Sequence, residues 1–216
     1  MKSLHSLFEQ SSESELLERY REEESLRFHW IDGLSPLHRA VLGGMPDLVR
    51  LLLAQGEDPN LRNRFGGTSL HLLSWIAQKR RDPRCCPIAI QIGNQLIDSG
   101  CLSNIQDNEG LNALNLSADW LENFHDRRGL VGFFLEAGED PNLPDSRGRA
   151  VLHNMADGEN YALEAYKLLI EAGADLEQKD NQGKTPYMLF RETTEFGGHI
   201  HCPRDHYDEI CSLLLG

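Results

Sequence analysis

Apolar residues along this chain gather in short stretches separated by glycine-centred polar turns. Leu48, Val49, Leu51, Leu52 and Leu53 form one stretch, Val131, Phe133, Phe134 and Leu135 a second, and Leu168, Leu169 and Ile170 a third. These spacings suit one buried face of a helix better than the strict alternation of a strand. Each stretch runs into a similar close: Gly56-Glu-Asp-Pro-Asn-Leu61, repeated letter for letter as Gly138-Glu-Asp-Pro-Asn-Leu143, and more loosely as Gly173-Ala-Asp-Leu-Glu177. A glycine there reads as the stop of the preceding helix.

A second pattern opens each unit. It runs Gly33-Leu-Ser-Pro-Leu-His38, Gly66-Gly-Thr-Ser-Leu-His71, Gly110-Leu-Asn-Ala-Leu-Asn115, Gly148-Arg-Ala-Val-Leu-His153 and Gly183-Lys-Thr-Pro-Tyr-Met188. Glycine makes a tight turn, Ser or Thr caps the helix that follows, Pro suits its first turn, and Leu begins the buried face. The chain is therefore predicted to be all-α, with five units of turn, helix and helix. Their opening glycines lie 33, 44, 38 and 35 residues apart. The surplus over about 33 is expected between the paired helices, as insertions at residues 79–86, 123–129 and 192–205. Pro87 then falls in the first turn of a helix carrying Ile88, Ile92, Leu96 and Ile97.

These motifs resemble the ankyrin repeat. Its Thr-Pro-Leu-His-x-Ala signature is nearest in Ser35-Pro-Leu-His-Arg-Ala40, and its Gly-Ala-Asp close matches Gly173-Ala-Asp175. The resemblance covers residues 30–216 and implies a solenoid of about five stacked helix pairs with short turn connections. It is weakest in the third unit, with Asn112-Ala-Leu-Asn115, and in the fifth, where Tyr187 and Met188 replace Leu and His. Residues 1–29 are expected to form an N-terminal cap of two short helices, with Leu4, Leu7 and Phe8 and then Leu16, Leu17 and Tyr20 at helical spacing and a capping box at Ser12-Glu-Ser-Glu15. A separate acidic docking arm is the alternative, given Glu13, Glu15, Glu18, Glu22, Glu23 and Glu24.

The net charge of −13 opposes a nucleic-acid role and favours a protein partner with a basic or mixed-charge surface. Five cysteines, Cys85, Cys86, Cys101, Cys202 and Cys211, make no disulfide framework and fit a reducing cytoplasm. Neither a secretory signal nor a membrane-spanning run is visible. A monomer without a cofactor is expected.

Candidate chemistry is thin. His38, His71 and His153 recur in register, and the resemblance implies that they brace neighbouring turns. His199, His201, Cys202, His206 and Cys211 cluster without the paired spacing of structural zinc sites, so no metal ligand is assigned. A metal-binding protein or metal-dependent enzyme using the His199–Cys211 cluster, and a self-associating scaffold, remain rival readings. No phosphate-binding loop, nucleophile elbow or His-Glu-x-x-His pair occurs, and no enzymatic activity is expected.

The resemblance implies that turn tips and first helices face a partner. The candidate contacts are Arg64, Phe65, Trp75, Trp120, Arg147 and Arg149, Trp and Arg being enriched among binding hot spots. One or both indoles could instead fill space left by the irregular second and third units. A secondary basic edge comprises Lys79, Arg80, Arg81, Arg84, Arg127 and Arg128, either solvated or open to an acidic or phosphorylated ligand. The leading expectation is a non-enzymatic adaptor or inhibitor, in the manner of a bacterial toxin-immunity protein or a pathogen effector.

Overall fold

The computed structural model describes residues 11–22, 33–79, 85–119, 127–157, 162–196 and 204–216. They form helices joined by tight turns, with no sheet among them. The chain divides into two compact units, Met1–Leu102 and Ser103–Gly216.

In the first unit, α1 (Glu13–Glu22) precedes two helix pairs: α2 (Pro36–Leu42) with α3 (Pro46–Ala54), and α4 (Leu73–Lys79) with α5 (Cys85–Asp98). A 3-10 turn at Ser69–Leu72 leads into α4. Second helices stack on one another, α1 on α3 and α3 on α5, while α2 packs on α4. The expected box at Ser12 forms: the Glu15 amide donates to Ser12 Oγ at 3.4 Å and the Ser12 amide to Glu15 Oε2 at 2.9 Å. Leu16 and Tyr20 are buried. Glu13 does more than face solvent, because its Oε1 accepts from the amides of Asp47 (2.8 Å) and Leu48 (3.1 Å) at the start of α3. That helix has no side-chain cap of its own, and a carboxylate at this positive end contributes roughly 0.3–1 kcal/mol.

The second unit holds three pairs: α6 (Ala113–Asp119) with α7 (Arg127–Glu136), α8 (Val151–Asp157) with α9 (Leu163–Glu171), and α10 (Pro186–Phe196) with α11 (Arg204–Leu215). First helices stack as α6, α8 and α10, and second helices as α7, α9 and α11. Phe134, Tyr166 and Phe190 are its largest buried side chains. Helix reaches into all three expected insertions: Lys79 ends α4, and Cys85 and Cys86 open α5. Residues 127–129 already belong to α7, and residues 192–196 complete α10 with Thr193 and Thr194 hydroxyls donating to carbonyls one turn back.

The glycine stops behave as their sequence requires. Gly56, Gly138 and Gly173 all have φ near +85 to +89°, and Gly100 takes the same role at +87°. That fourth stop is hidden in the sequence because Cys101-Leu-Ser-Asn104 follows it instead of Glu-Asp-Pro-Asn. Among the described residues no helix is long and apolar enough to cross a membrane.

Candidate functional site

Polar side chains that look chemically useful in the sequence are largely committed to holding the repeats together. Ser35 caps α2, accepting from the His38 amide at 3.3 Å, while the Ser35 amide donates to His38 Nδ1 at 3.1 Å. The capping box usually closed by Glu or Gln is closed here by an imidazole. Because Nδ1 is an acceptor, the ring proton sits on Nε2, which donates to the Leu61 carbonyl of the next repeat at 3.1 Å. Burial holds the His38 pKa down to about 4, so the ring is neutral at physiological pH. His153 repeats the arrangement, accepting from Ala150 N (3.2 Å) and donating to Lys184 O (3.1 Å), and burial lowers its pKa too. His71 closes the same box with Thr68. In the third repeat Asn112 takes over both jobs. Its Oδ1 caps Asn115 N at 2.8 Å and its Nδ2 reaches Asp140 O at 3.4 Å.

The asparagines of the closing loops form a second set of inter-repeat clasps. Asn60 Nδ2 donates to Gly100 O (3.0 Å) and its Oδ1 accepts from Leu102 N (2.8 Å). Asn104 does the same with Gly138 O and Asp140 N, and Asn142 with Gly173 O and Asp175 N. Sequence reasoning missed this role, although the recurring Asn60 and Asn142 carried the signal. Asn104 also sits at φ +60°, a conformation asparagine tolerates better than most residues.

The turn tips are rigid for a similar reason. Asn63, Asp107, Asp145 and Asp180 each accept two amides of their own turn. Within the second unit adjacent tips are joined by Ser146 N to Glu109 O and by Asn181 N to Arg147 O, both 2.9 Å.

On this frame the six candidate contacts separate. Phe65 is 59% exposed and Trp75 45% exposed. Arg64 lays its guanidinium over the Phe65 ring, 4.7 Å from the centroid. All three belong to the second repeat. Arg147 stands at the fourth repeat's tip, outward and paired with Asp145 at 3.3 Å. Arg149 is different: its side chain is only 11% exposed and lies between Asp157 and Asp180, so it serves the fold and offers little to a partner. Trp120 lies outside the described residues, as do Arg80, Arg81 and Arg84 of the basic edge. Lys79 ends α4, and Arg127 and Arg128 open α7. Of the candidate metal cluster, His199, His201 and Cys202 lie outside the described residues. His206 and Cys211 sit five apart on α11, and no group of three potential ligands occurs among the described residues.

Stacked pairs of helices, locked by repeating histidine and asparagine clasps, define a helical repeat protein. The chain belongs to the ankyrin-repeat family. A family profile described as ankyrin repeats (many copies) matches residues 23–73. The chain is 30% identical over 156 residues to the B-cell lymphoma 3 protein homolog of Mus musculus, an alignment covering 70% of this chain and 31% of that protein. It is 31% identical over 160 residues to the nuclear factor NF-kappa-B p105 subunit of Gallus gallus, covering 72% and 14% respectively. A putative ankyrin repeat protein of Rickettsia felis is 32% identical over 104 residues, 47% of this chain and 40% of that one. The chain thus spans about a third or less of the two vertebrate relatives. Ankyrin repeats are protein–protein interaction modules, and that much holds for this chain.

Proposed function

We propose that this protein is a non-enzymatic binding module that acts as an adaptor or inhibitor, holding a partner protein against the tips and first helices of its repeats. The observation that carries this reading is Phe65 and Trp75, two large aromatic side chains 59% and 45% exposed on a frame in which His38, His153 and Asn60 are committed to structure. Exposed aromatics of this kind are typical anchors of interfaces. Arg64 and Arg147 supply orientation at the tips.

Binding itself delivers the effect, by covering a partner's working surface or by bridging two proteins. An immunity protein that blocks a toxin and an effector that engages a host protein both work in this way, as a cytoplasmic monomer. Of the cluster behind the metal-dependent alternative, the described members His206 and Cys211 are five apart on α11, a spacing that does not share one face of a helix, which favours the binding reading.

The test is capture from lysate of the source cells by immobilised wild type and by a Phe65→Ala, Trp75→Ala variant. A stoichiometric partner held by the wild type and released by the variant supports the reading. Assaying that partner with and without this chain then separates inhibitor from adaptor. Failure to capture any partner, or equimolar zinc or iron retained after purification, overturns it.

A further inference from the structure

Charge is distributed unevenly along the chain, in a way that bears on what the second repeat can hold. Residues 103–216 carry 21 Asp and Glu against 9 Lys and Arg. Residues 59–81 carry Arg62, Arg64, Lys79, Arg80 and Arg81, and no Asp or Glu at all. This acid-free stretch is also where both exposed aromatics of the proposed surface lie.

The exposure of Trp75 has a local cause. In the fourth and fifth repeats, the residue after the tip glycine reaches along the first helix to an acid eight positions on: Arg149 to Asp157, and Lys184 to Glu192. In the second repeat the corresponding positions are Gly67 and Trp75. Gly67 has no side chain to lay along the helix, so nothing from that position covers the indole, and no carboxylate stands where Asp157 and Glu192 stand. Leu73 and Ile76 bury the other side of α4, which leaves Trp75 facing out. Lys79 ends α4 four residues later. At the tip, Arg62 and Arg64 are exposed, Arg62 bonded to Gly66 O at 2.9 Å and Arg64 lying over Phe65.

We infer that the second repeat docks an acidic segment of a partner protein carrying an apolar anchor side chain, with Phe65 and Trp75 receiving the anchor and Arg62 and Arg64 flanking it. The inference rests on the binding-module reading and adds the chemistry of the partner. It also reverses, for this repeat, the basic partner that the overall charge suggests. A short acidic segment needs to meet only the local positive field, since charges beyond about a Debye length, ~8 Å at physiological salt, are largely screened. A nucleic-acid strand is a longer polyanion and meets the whole chain's charge of −13, which disfavours it.

The test is selection from a displayed library of random twelve-residue peptides on the full chain. Binding of the enriched peptides to wild type, Phe65→Ala, Trp75→Ala and Arg62→Glu, Arg64→Glu is then measured by fluorescence anisotropy. All substituted side chains are exposed, so unchanged thermal unfolding and helical circular dichroism confirm intact folding. Enriched peptides are expected to carry net negative charge around an aromatic or aliphatic residue. Truncating either aromatic should weaken them about tenfold or more, and the double charge reversal or added salt should weaken them as well. Enrichment of basic peptides, no enrichment, indifference to all three variants, or tighter binding of single-stranded oligonucleotide at these residues would overturn the inference. A lysate partner captured equally by wild type and the aromatic variant would leave the binding-module reading standing and remove this one. No capture at all would remove both.

Discussion

Glu139 is an ionisable group in a place that suits its neutral form. It follows the helix-stop glycine of the third repeat and is only 4% exposed. Its Oε1 accepts from the Asn104 amide at 3.2 Å, while Oε2 has no hydrogen-bond partner. Burial pushes its pKa up from 4.5 to about 7, against the lowering effect of the Asn104 and Leu114 amides. Because the folded pKa exceeds the unfolded one, the folded state binds the proton more tightly. The group's contribution to stability is fully favourable below about pH 4.5 and is lost as pH rises towards 7, then stays flat. At about 1.4 kcal/mol per pH unit, moving from pH 5.5 to pH 8 costs about 2 kcal/mol through this group alone.

Wild-type stability against pH does not isolate that term, because His38 and His153 act in the opposite sense. Both have lowered folded pKa values, His38 about 4, so the unfolded chain takes up their protons first and acid destabilises the fold below about pH 6.5. Glu139→Gln separates them. The amide keeps the acceptor for Asn104 and resembles the protonated acid, so any constant offset from its NH2 group is the same at both pH values. Denaturant unfolding of wild type and variant, followed by circular dichroism, should show the variant gaining about 2 kcal/mol on wild type between pH 5.5 and pH 8. A stability difference that does not change with pH would refute the reasoning.

Three other outcomes follow from the same geometry. His153→Ala loses the cap acceptor and the bond to Lys184 O and should cost about 2–3 kcal/mol at pH 8 by denaturant unfolding. It should cost less near pH 5, where the wild type has already lost part of that histidine's contribution. Gly110→Ala places a Cβ 2.7 Å from Ser146 N at φ +81°, whereas Gly183→Ala at φ +77° meets nothing within 4 Å; the first should lower the melting temperature clearly more than the second, and equal losses would contradict the close approach. Arg149→Ala strips Asp157 and Asp180 of their shared cation. It should reduce stability by about 1–3 kcal/mol while leaving capture of the partner unchanged in the fraction that remains folded.

Most of the helical frame was legible because glycine stops, caps and apolar spacing are local signals. Ser35, Pro36 and Leu37 could be assigned a cap, a first turn and a buried face without knowing what lay next to them. What the sequence concealed depends on distant neighbours. Gly100 closes a helix without the usual residues after it, and Asn104 becomes recognisable as a clasp only when Gly138 O and Asp140 N are seen opposite its amide. Arg149 illustrates the limit at the candidate surface. By residue type and position it resembles a contact for a partner, yet Asp157 lies eight residues on and Asp180 in the next repeat's turn, and together they draw it in.

The same pairing explains why recognition should concentrate in the second repeat. A first helix is available to a partner only where its outward positions are not already satisfied from within the chain. In the fourth and fifth repeats an ion pair along the helix occupies them, and displacing a partly buried pair exposes a charge to an uncompensated environment. In the second repeat Gly67 and Trp75 stand in place of that pair, so no such ion pair occupies these positions and the indole is 45% exposed. Lengthening position 67 should therefore act on binding more than on folding. Gly67→Arg would add a side chain that can lie along α4, with His71 Cβ at 3.2 Å as the tight point. If Trp75 is the anchor, affinity should fall by about tenfold while Trp75 fluorescence shifts towards a less solvated state; undiminished binding by a folded Gly67→Arg protein would move the anchor away from this repeat.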